Sequence, residues 1–241
     1  MTAPLPANEA ERLKALKEYH ILDTETEQSY DDITTLAAHI CGVPVAMISL
    51  VDEVRQWFKS KVGVDQQQTS REVAFCAHAI LENKPFIVRD ATKDKRFADN
   101  ALVTGEPHIR FYAGIPLINP EGLALGTLCV IDHQPRRLSA EQQKALQALS
   151  RQVMALLEFR RILTHLAETL DHVKQLQALL PICAWCKRVR DDEGYWNQVE
   201  TYFHDHTGAD FTHGICPECL KKVRRNLRRH RPAHRTSAPE V

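Results

Sequence analysis

The segment "VPVAMISLVDEVRQWFKSKVG", residues 43–63, predicts the central part of the fold. It contains two runs, 43–52 and 56–63, rich in the β-branched and aromatic residues that favour strands. The short polar link Asp52–Arg55 joins the two runs. Apolar runs separated by so short a link are typical of antiparallel neighbours, so the segment is predicted to form a β-hairpin.

Further apolar runs predict a larger sheet and its helices. "KPFIVRD" (84–90), "RFYAGIPLI" (110–118) and "LALGTLCVID" (123–132) are strand candidates, and "NPEG" (119–122) is the predicted turn between the last two. Residues 8–19 and 29–41 have apolar residues at helical spacing, with Asn8 as a predicted N-cap and Gly42 as a helix stop. One core would bury all of these faces, so we predict an α+β fold in which helices flank an antiparallel sheet.

A long helix is predicted over residues 139–180. Ser139 and Gln142 have the spacing of a capping box, and no Pro or Gly follows before Leu180. Two interpretations fit the apolar spacing: a helix that folds back on its own sheet, and a signalling helix that pairs with a second copy as a parallel coiled coil. The second interpretation predicts a homodimer. The apolar residues concerned are Leu149, Val153, Leu156, Leu163, Leu170, Val173 and Leu180.

Composition limits the classes of partner. The 241 residues contain 31 Lys and Arg and 31 Asp and Glu, so no overall charge attracts nucleic acid or an anionic membrane. Residues 1–20 lack a basic segment followed by an apolar run, and no stretch approaches the roughly 18 apolar residues that span a bilayer. We therefore expect a cytoplasmic protein without membrane contact, in which the seven cysteines are free thiols or metal ligands.

Two C-x-x-C pairs near the end of the sequence predict a metal site. Cys183, Cys186, Cys216 and Cys219 supply four thiols, the number that a tetrahedral structural Zn²⁺ takes. The segment 181–222 is too short to build a core by burial alone, so zinc is expected to supply folding energy. A redox role for the second pair is the alternative. A histidine could also replace one thiol, and the candidates are His204, His206 and His213.

The segment 223–241 is predicted to be a basic, disordered tail. Lys and Arg dominate residues 221–235, which contain no acidic residue. Such a run favours an acidic protein partner, and non-specific contact with nucleic acid is the alternative.

The sequence from residue 8 to about 160 resembles the GAF sensor domains of bacterial signalling proteins. The resemblance is carried by residues 19–63 and by the motifs "SREVAFCAHAI", "DATKDKRFADN", "VTGEPHIRFYAGIPL" and "GTLCVIDHQPRRLS". It implies a central antiparallel sheet, a small pocket on one face, and a terminal helix that carries signals to an output. The segment around the two cysteine pairs is similar to a module that follows GAF and PAS domains in bacterial sensors.

The predicted pocket residues are the polar and reactive groups between the strands. A buried guanidinium such as that of Arg110 needs an anionic ligand or a carboxylate, and Asp90 or Asp94 could supply the latter. The buried cysteines, Cys41 included, either fill the core or react. The candidate ligand-binding residues are Cys76, His78, Asp90, Arg96, Asn100, Arg110, Tyr112 and Cys129.

These observations predict a sensory or adaptor protein. A small ligand or a redox cue in the pocket would act through the long helix on the zinc module, which would contact a protein partner. The sequence lacks a Gly-rich phosphate loop and a cyclase signature, so we predict no enzymatic activity. One alternative is an enzyme that uses Cys76 or Cys129 on a small oxidised substrate, as free methionine sulfoxide reductases of this fold do. Another is a nucleic-acid-binding regulator.

Overall fold

The computed structural model describes residues 2–177, 180–191 and 193–229. The chain divides into two compact units, residues 1–170 and residues 171–241. The first unit contains the sheet and the second contains the two cysteine pairs.

The first unit is built on one six-stranded antiparallel sheet with the strand order β3-β2-β1-β6-β5-β4. Its strands are β1 (Val45–Val51), β2 (Arg55–Val62), β3 (Gln68–Ser70), β4 (Phe86–Val88), β5 (Phe111–Ile118) and β6 (Ala124–Asp132). Its helices are α1 (Glu9–Glu18), α2 (Gln28–Cys41), α3 (Phe75–Ala79), α4 (Ala101–Thr104) and the first part of α5 (Ala140–Gln177), with a 3₁₀ turn at Arg71–Val73. This arrangement confirms the predicted α+β fold.

The predicted hairpin, helix stop and capping box are all confirmed by the structure. In the β1–β2 hairpin, the Asp52 N–H donates to the Arg55 carbonyl over 2.8 Å. Helix α2 ends at Cys41 and is capped by Gly42, which adopts a left-handed conformation that costs glycine little. At the start of α5, the Ser139 N–H donates to Gln142 Oε1, and the Gln142 N–H donates to Ser139 Oγ. The capping box that the sequence predicts therefore forms.

Both faces of the sheet are covered, which explains why every residue of β1 and β6 is buried. One face packs against α1, α2 and α5 through a large apolar core that includes Leu16, Ile33, Ile48, Leu128 and Val153. The other face packs against α3, α4 and their connecting loops in a second core that includes Met47, Phe75, Phe97, Tyr112 and Cys129. The candidate site lies on this second face.

The long helix α5 has two kinds of apolar surface. Val153 is fully buried in the core and Leu149 and Leu156 pack against it, so this part of the predicted coiled-coil seam covers the domain's own sheet. Further along, an exposed apolar stripe begins, and its residues are Phe159, Ile162, Leu163, Leu166 and Leu170. The predicted seam to Leu180 includes residues 178 and 179, which lie outside the described residues.

The described residues of the second unit include the end of α5, two short strands and two further helices. The strands β7 (Val189–Arg190) and β8 (Trp196–Asn197) pair antiparallel, and α6 (Val199–Thr207) and α7 (Pro217–Arg229) follow. Residues 223–229, which we predicted to begin a disordered tail, belong to α7, while residues 230–241 lie outside the described residues. Within the part of the chain that the structure describes, no helix is long and apolar enough to cross a membrane.

A candidate ligand cavity with a buried cysteine pair

A cavity of about 410 Å³ lies over the second face of the sheet. Its volume falls in the range of about 300–1,000 Å³ that is usual for small-molecule sites. Strands β1, β2, β5 and β6, helices α3 and α4 and the loop after β2 provide its walls. The apolar side chains that line it are Val45, Met47, Phe58, Val64, Phe75, Leu102, Pro107, Ile109 and Ile131, with Cys76 and Tyr112 beside them.

The polar residues that line the cavity are uncharged or acidic, apart from one histidine. Asp65 and Glu106 contribute carboxylates, and His133 is the one basic side chain among the described lining residues. The ring of His133 is held by Nδ1, which lies 2.7 Å from the Pro107 carbonyl oxygen. Both carboxylates lie at the exposed edge of the cavity, and its described lining includes no Lys or Arg side chain that would bind a phosphate ester.

A pair of cysteines meets beside the cavity. Cys76 on α3 and Cys129 on β6 are both almost fully buried, and their Sγ atoms lie 3.9 Å apart. The Tyr112 hydroxyl donates to Cys76 Sγ over 3.3 Å, and the Thr127 hydroxyl donates to the same sulfur over 3.2 Å. Two hydroxyl donors on one sulfur form an interior polar cluster within an otherwise apolar core.

These contacts divide the two thiols electrostatically. Burial by itself raises the pKa of Cys76, but hydrogen bonds from the neighbouring thiol and hydroxyl groups outweigh it and lower that pKa below its ordinary value. The contact with Cys76, together with burial, raises the pKa of Cys129 well above its ordinary value. The contacts therefore favour ionisation of Cys76 and disfavour ionisation of Cys129.

Gly114 makes room for the tyrosine of this cluster. A Cβ atom at residue 114 would lie 2.3 Å from Tyr112 Oη, closer than any real contact. Since the Tyr112 ring is fully buried, it has no free space into which it could retreat. Glycine at this place on β5 therefore permits the hydroxyl to reach Cys76.

Of the eight predicted ligand-binding residues, the structure brings Cys76, Tyr112 and Cys129 together at the cavity. His78 lies elsewhere on α3, with its ring 4.8 Å from the Phe97 ring in an edge-to-face contact. Asn100 caps α4: its side-chain oxygen accepts from the Leu102 N–H. These two residues have visible structural roles outside the cavity lining.

The structure does not pair Arg110 with Asp90 or Asp94, which was one of the two alternatives left open by the sequence. Asp90 pairs with Lys93 over 2.9 Å, and Asp94 pairs with Arg96 over 2.6 Å. Arg110 instead donates to the backbone carbonyl of Val103 over 2.8 Å and to that of Ile109. Each carboxylate has its cation two or three residues away in the sequence, and so local a pair closes only a short loop of chain.

Asp90 and Asp94 also line a different depression, of about 530 Å³, together with Leu138 and Gln143. Sequence reasoning missed most of the true cavity lining. Met47, Phe58 and Ile131 were read only as sheet core, and nothing in their types distinguishes a cavity wall from packed interior.

The two C-terminal cysteine pairs share one local geometry. The Cys186 N–H donates to Cys183 Sγ over 3.5 Å, and the Cys219 N–H donates to Cys216 Sγ over 3.4 Å. These backbone donors lower the pKa of Cys183 and Cys216. Among the described residues, no group of three or more His, Cys, Asp or Glu side chains lies close enough together to hold a metal ion.

Comparison with known proteins gives a family match and one relative that is matched over part of its length. Residues 25–157, more than half of the chain, match the model of the GAF domain. The chain is also 43% identical, over 168 residues, to a cyclic di-GMP phosphodiesterase of Pseudomonas aeruginosa. That match covers 69% of this chain and 29% of the relative, so the chain spans less than a third of the relative's length. Because that relative is named as an enzyme, our prediction that the chain has no enzymatic activity is wrong.

Solved structures of low identity also align with this chain. The GAF domain of an Acinetobacter phosphoenolpyruvate-protein phosphotransferase aligns with a TM-score of 0.47 at 19% identity, covering 64% of this chain and 98% of that one. The blue-light-absorbing form of the PixJ GAF domain of Thermosynechococcus elongatus aligns with a TM-score of 0.48 at 13% identity, covering 70% and 98%. A type II free methionine-R-sulfoxide reductase of Thermoplasma acidophilum gives 0.44 at 12% identity, covering 54% and 92%.

Proposed function

Because the chain belongs to the GAF domain family, we propose that its first unit is the sensory domain of a signalling protein that controls cyclic di-GMP breakdown. The observation that carries this proposal is the cavity of about 410 Å³, which has apolar walls and a polar rim. The similarity to a cyclic di-GMP phosphodiesterase supports the link to that second messenger. A signal bound in the cavity would alter the domain, and α5 would carry the change.

The charge of the lining narrows the class of signal. Asp65 and Glu106 border the cavity, whereas Arg96 and Arg110 make their contacts elsewhere. An anionic nucleotide would meet these carboxylates, and among the described lining residues only His133 is basic. We therefore propose a neutral or cationic small molecule with an apolar body as the ligand, in place of the anionic one that Arg110 suggested.

Filling the cavity tests the proposal. Val45 lines the cavity, so a Val45→Phe variant places a ring in the ligand's space. Indole and phenylethylamine serve as neutral and cationic probes, and cyclic AMP serves as the anionic one. The neutral or the cationic probe, at 100 times its Kd, should stabilise the wild-type protein by about 2.7 kcal/mol in thermal unfolding. The same probe should not stabilise Val45→Phe.

Val54→Phe is the matched control, because Val54 is 73% exposed in the β1–β2 turn. This variant should be stabilised by the probes as the wild type is. When it is expressed in a bacterial cyclic di-GMP reporter strain, it should change the cyclic di-GMP level as the wild type does. Val45→Phe should lose both responses. Stabilisation by cyclic AMP alone, or equal reporter signals from both variants and an empty vector, would contradict the proposal.

We further propose that the chain is a homodimer joined through α5. The helix carries an exposed apolar stripe that begins at Phe159 and continues to Leu170. Arg160 and Arg161 follow Phe159 in the sequence: Arg160 pairs with Glu27, while Arg161 pairs with Glu158 one turn earlier on α5 and with Glu121. A narrow apolar stripe on an otherwise polar helix is the kind of surface that a second helix covers.

We also propose that the four C-terminal cysteines hold one structural zinc ion. The two pairs repeat the same backbone-to-sulfur hydrogen bond, which favours the thiolate form that zinc takes. The structure does not gather the four sulfurs into one site, so this remains a prediction for measurement. A protein partner for the second unit remains a prediction too, and nucleic acid is the alternative partner.

A native mass spectrum tests the dimer and the zinc together. The wild-type chain should appear as a dimer with one zinc ion per chain. Cys183→Ser with Cys216→Ser should lose the metal, because each pair then offers a single thiolate. Leu166→Glu should give a monomer that retains zinc, since it charges only the stripe. Metal retained in the double Ser variant, or a dimer unchanged in Leu166→Glu, would contradict the corresponding proposal.

A further inference from the structure

We propose that Cys76 and Cys129 form a peroxide-reactive dithiol, in which Cys76 reduces a hydroperoxide and Cys129 then closes a disulfide with it. The reaction would make the sensory domain responsive to oxidants as well as to a bound ligand. It depends neither on the proposed ligand nor on cyclic di-GMP, because it is measured on the thiols of the chain alone.

The distance between the sulfurs is the first support. A disulfide bond is about 2.05 Å long, so the two Sγ atoms need to approach by roughly 2 Å from their separation of 3.9 Å. Cys76 lies on the five-residue helix α3, and Cys129 lies on the central strand β6. A short helix between loops can shift by this amount more readily than a strand paired on both sides, so Cys76 would move toward Cys129.

The position of each sulfur assigns the two roles. Among the described residues that line the cavity, Cys76 is present and Cys129 is not. A small hydroperoxide that enters the cavity would therefore meet Cys76 first. Tyr112 and Thr127 donate hydrogen bonds to Cys76 Sγ and stabilise its thiolate, the form that attacks peroxides. Cys129, which does not line the cavity, is then the resolving thiol.

The chemistry balances in two steps. The Cys76 thiolate attacks one peroxide oxygen, the O–O bond breaks, and the proton released by Cys76 neutralises the leaving alkoxide or hydroxide. Cys76 is then a sulfenic acid. The Cys129 sulfur attacks the Cys76 sulfur, the S–O bond breaks, and the hydroxide leaves as water with the Cys129 proton. In sum, two thiols and one hydroperoxide give a disulfide, an alcohol or water, and one further water.

Cys41 shows what an ordinary core cysteine looks like in this chain. It is buried between α2 and the sheet, and burial raises the pKa of its thiol to about 11. Cys76 differs because two hydroxyl groups and a second thiol converge on it. Cys41 therefore serves as the matched control within every sample.

The test maps thiols on the full chain after treatment with hydrogen peroxide and, separately, tert-butyl hydroperoxide. Free thiols are alkylated, the protein is digested, and peptides are identified by mass spectrometry. We expect a cross-linked peptide that joins Cys76 to Cys129 and disappears on treatment with dithiothreitol. Cys76 should be lost at least about tenfold faster than Cys41. The C-terminal pairs Cys183–Cys186 and Cys216–Cys219, of which Cys183 is half-buried and the other three cysteines are exposed, report that the oxidant dose was effective.

Two variants separate the roles. In Cys129→Ser, Cys76 has no resolving partner, so dimedone should trap its sulfenic acid. In Cys76→Ser, Cys129 should stay reduced at the same dose. The proposal is overturned if Cys76 and Cys129 remain free in the wild type when the C-terminal pairs are fully oxidised, and this outcome decides even if a variant fails to fold. If dimedone labels Cys129 in the Cys76→Ser variant, the assignment of roles is overturned.

Discussion

Gly126→Ala is expected to lower the free energy of unfolding of the first unit by about 3 kcal/mol or more, at the upper end of overpacking penalties. Gly126 lies on β6 opposite Leu50 of β1, the two central strands of the sheet. A Cβ at residue 126 would lie 2.0 Å from the Ser49 carbonyl oxygen and 2.8 Å from Leu50 Cα. Both are backbone atoms of a paired strand, so relief of the clash requires β1 and β6 to separate.

Urea unfolding followed by circular dichroism measures this loss. Gly214→Ala is the matched control, because a Cβ at residue 214 meets nothing within 4 Å and its backbone is not left-handed. That variant should stay within about 0.5 kcal/mol of the wild type. Equal stability of Gly126→Ala and Gly214→Ala would show that β1 and β6 do not approach each other as the structure has them.

The elements that depend on local pattern could be predicted from the sequence. The β1–β2 hairpin, the helix stop at Gly42 and the capping box at Ser139 each follow from residues that are close together in the chain. Helices α3 and α4 were not predicted, since five and four residues are too few to show a helical period. Packing against the sheet, rather than propensity, holds them.

The candidate site could be predicted only in part, for the same reason. Cys76 and Cys129 stood out as reactive residue types, and the sheet brings them into contact across 53 residues of sequence. The charged loop between β4 and α4 was also chosen, but its acids are satisfied by near neighbours such as Lys93. The cavity itself is made by apolar side chains, and the sequence does not show where apolar packing leaves a gap. One unused signal was Gly114, because a glycine inside a strand often marks close approach of another group.

Glu9→Gln is expected to destabilise the first unit by about 3 kcal/mol or more, because it leaves two buried guanidinium groups without a carboxylate. Glu9 opens α1 and accepts two hydrogen bonds of 2.8 Å from Arg12, which is 1% exposed. Its Oε1 also accepts from Arg71 Nη1 over 2.5 Å. The Glu9 carboxylate therefore links α1 to the 3₁₀ turn that precedes α3.

Glu11→Gln is the matched control for this variant. Glu11 lies on the same helix and near the same end, but it is exposed. Its substitution should change the free energy of unfolding by no more than about 0.5 kcal/mol. A similar loss in both variants would mean that charge at the helix N-terminus, rather than the buried arginines, accounts for the effect.

The dependence on pH distinguishes the ion pair from simple packing. Burial by itself raises the pKa of Glu9, but hydrogen bonds from Arg12 and Arg71 outweigh it and lower the pKa from 4.5 to about 2. Between these values the unfolded chain binds the proton more readily than the folded protein does. The stabilisation by Glu9 is therefore complete above pH 4.5 and is lost as the pH falls toward 2.

Because glutamine does not titrate, the stability difference between the wild type and Glu9→Gln should be largest near neutral pH and should shrink steadily as the pH falls below 4.5. Urea unfolding of both proteins at several pH values measures this difference, and other acids that titrate alike in both proteins cancel from it. A difference that stays constant down to pH 2 would mean that the Glu9 carboxylate does not pair with the two arginines in the folded protein.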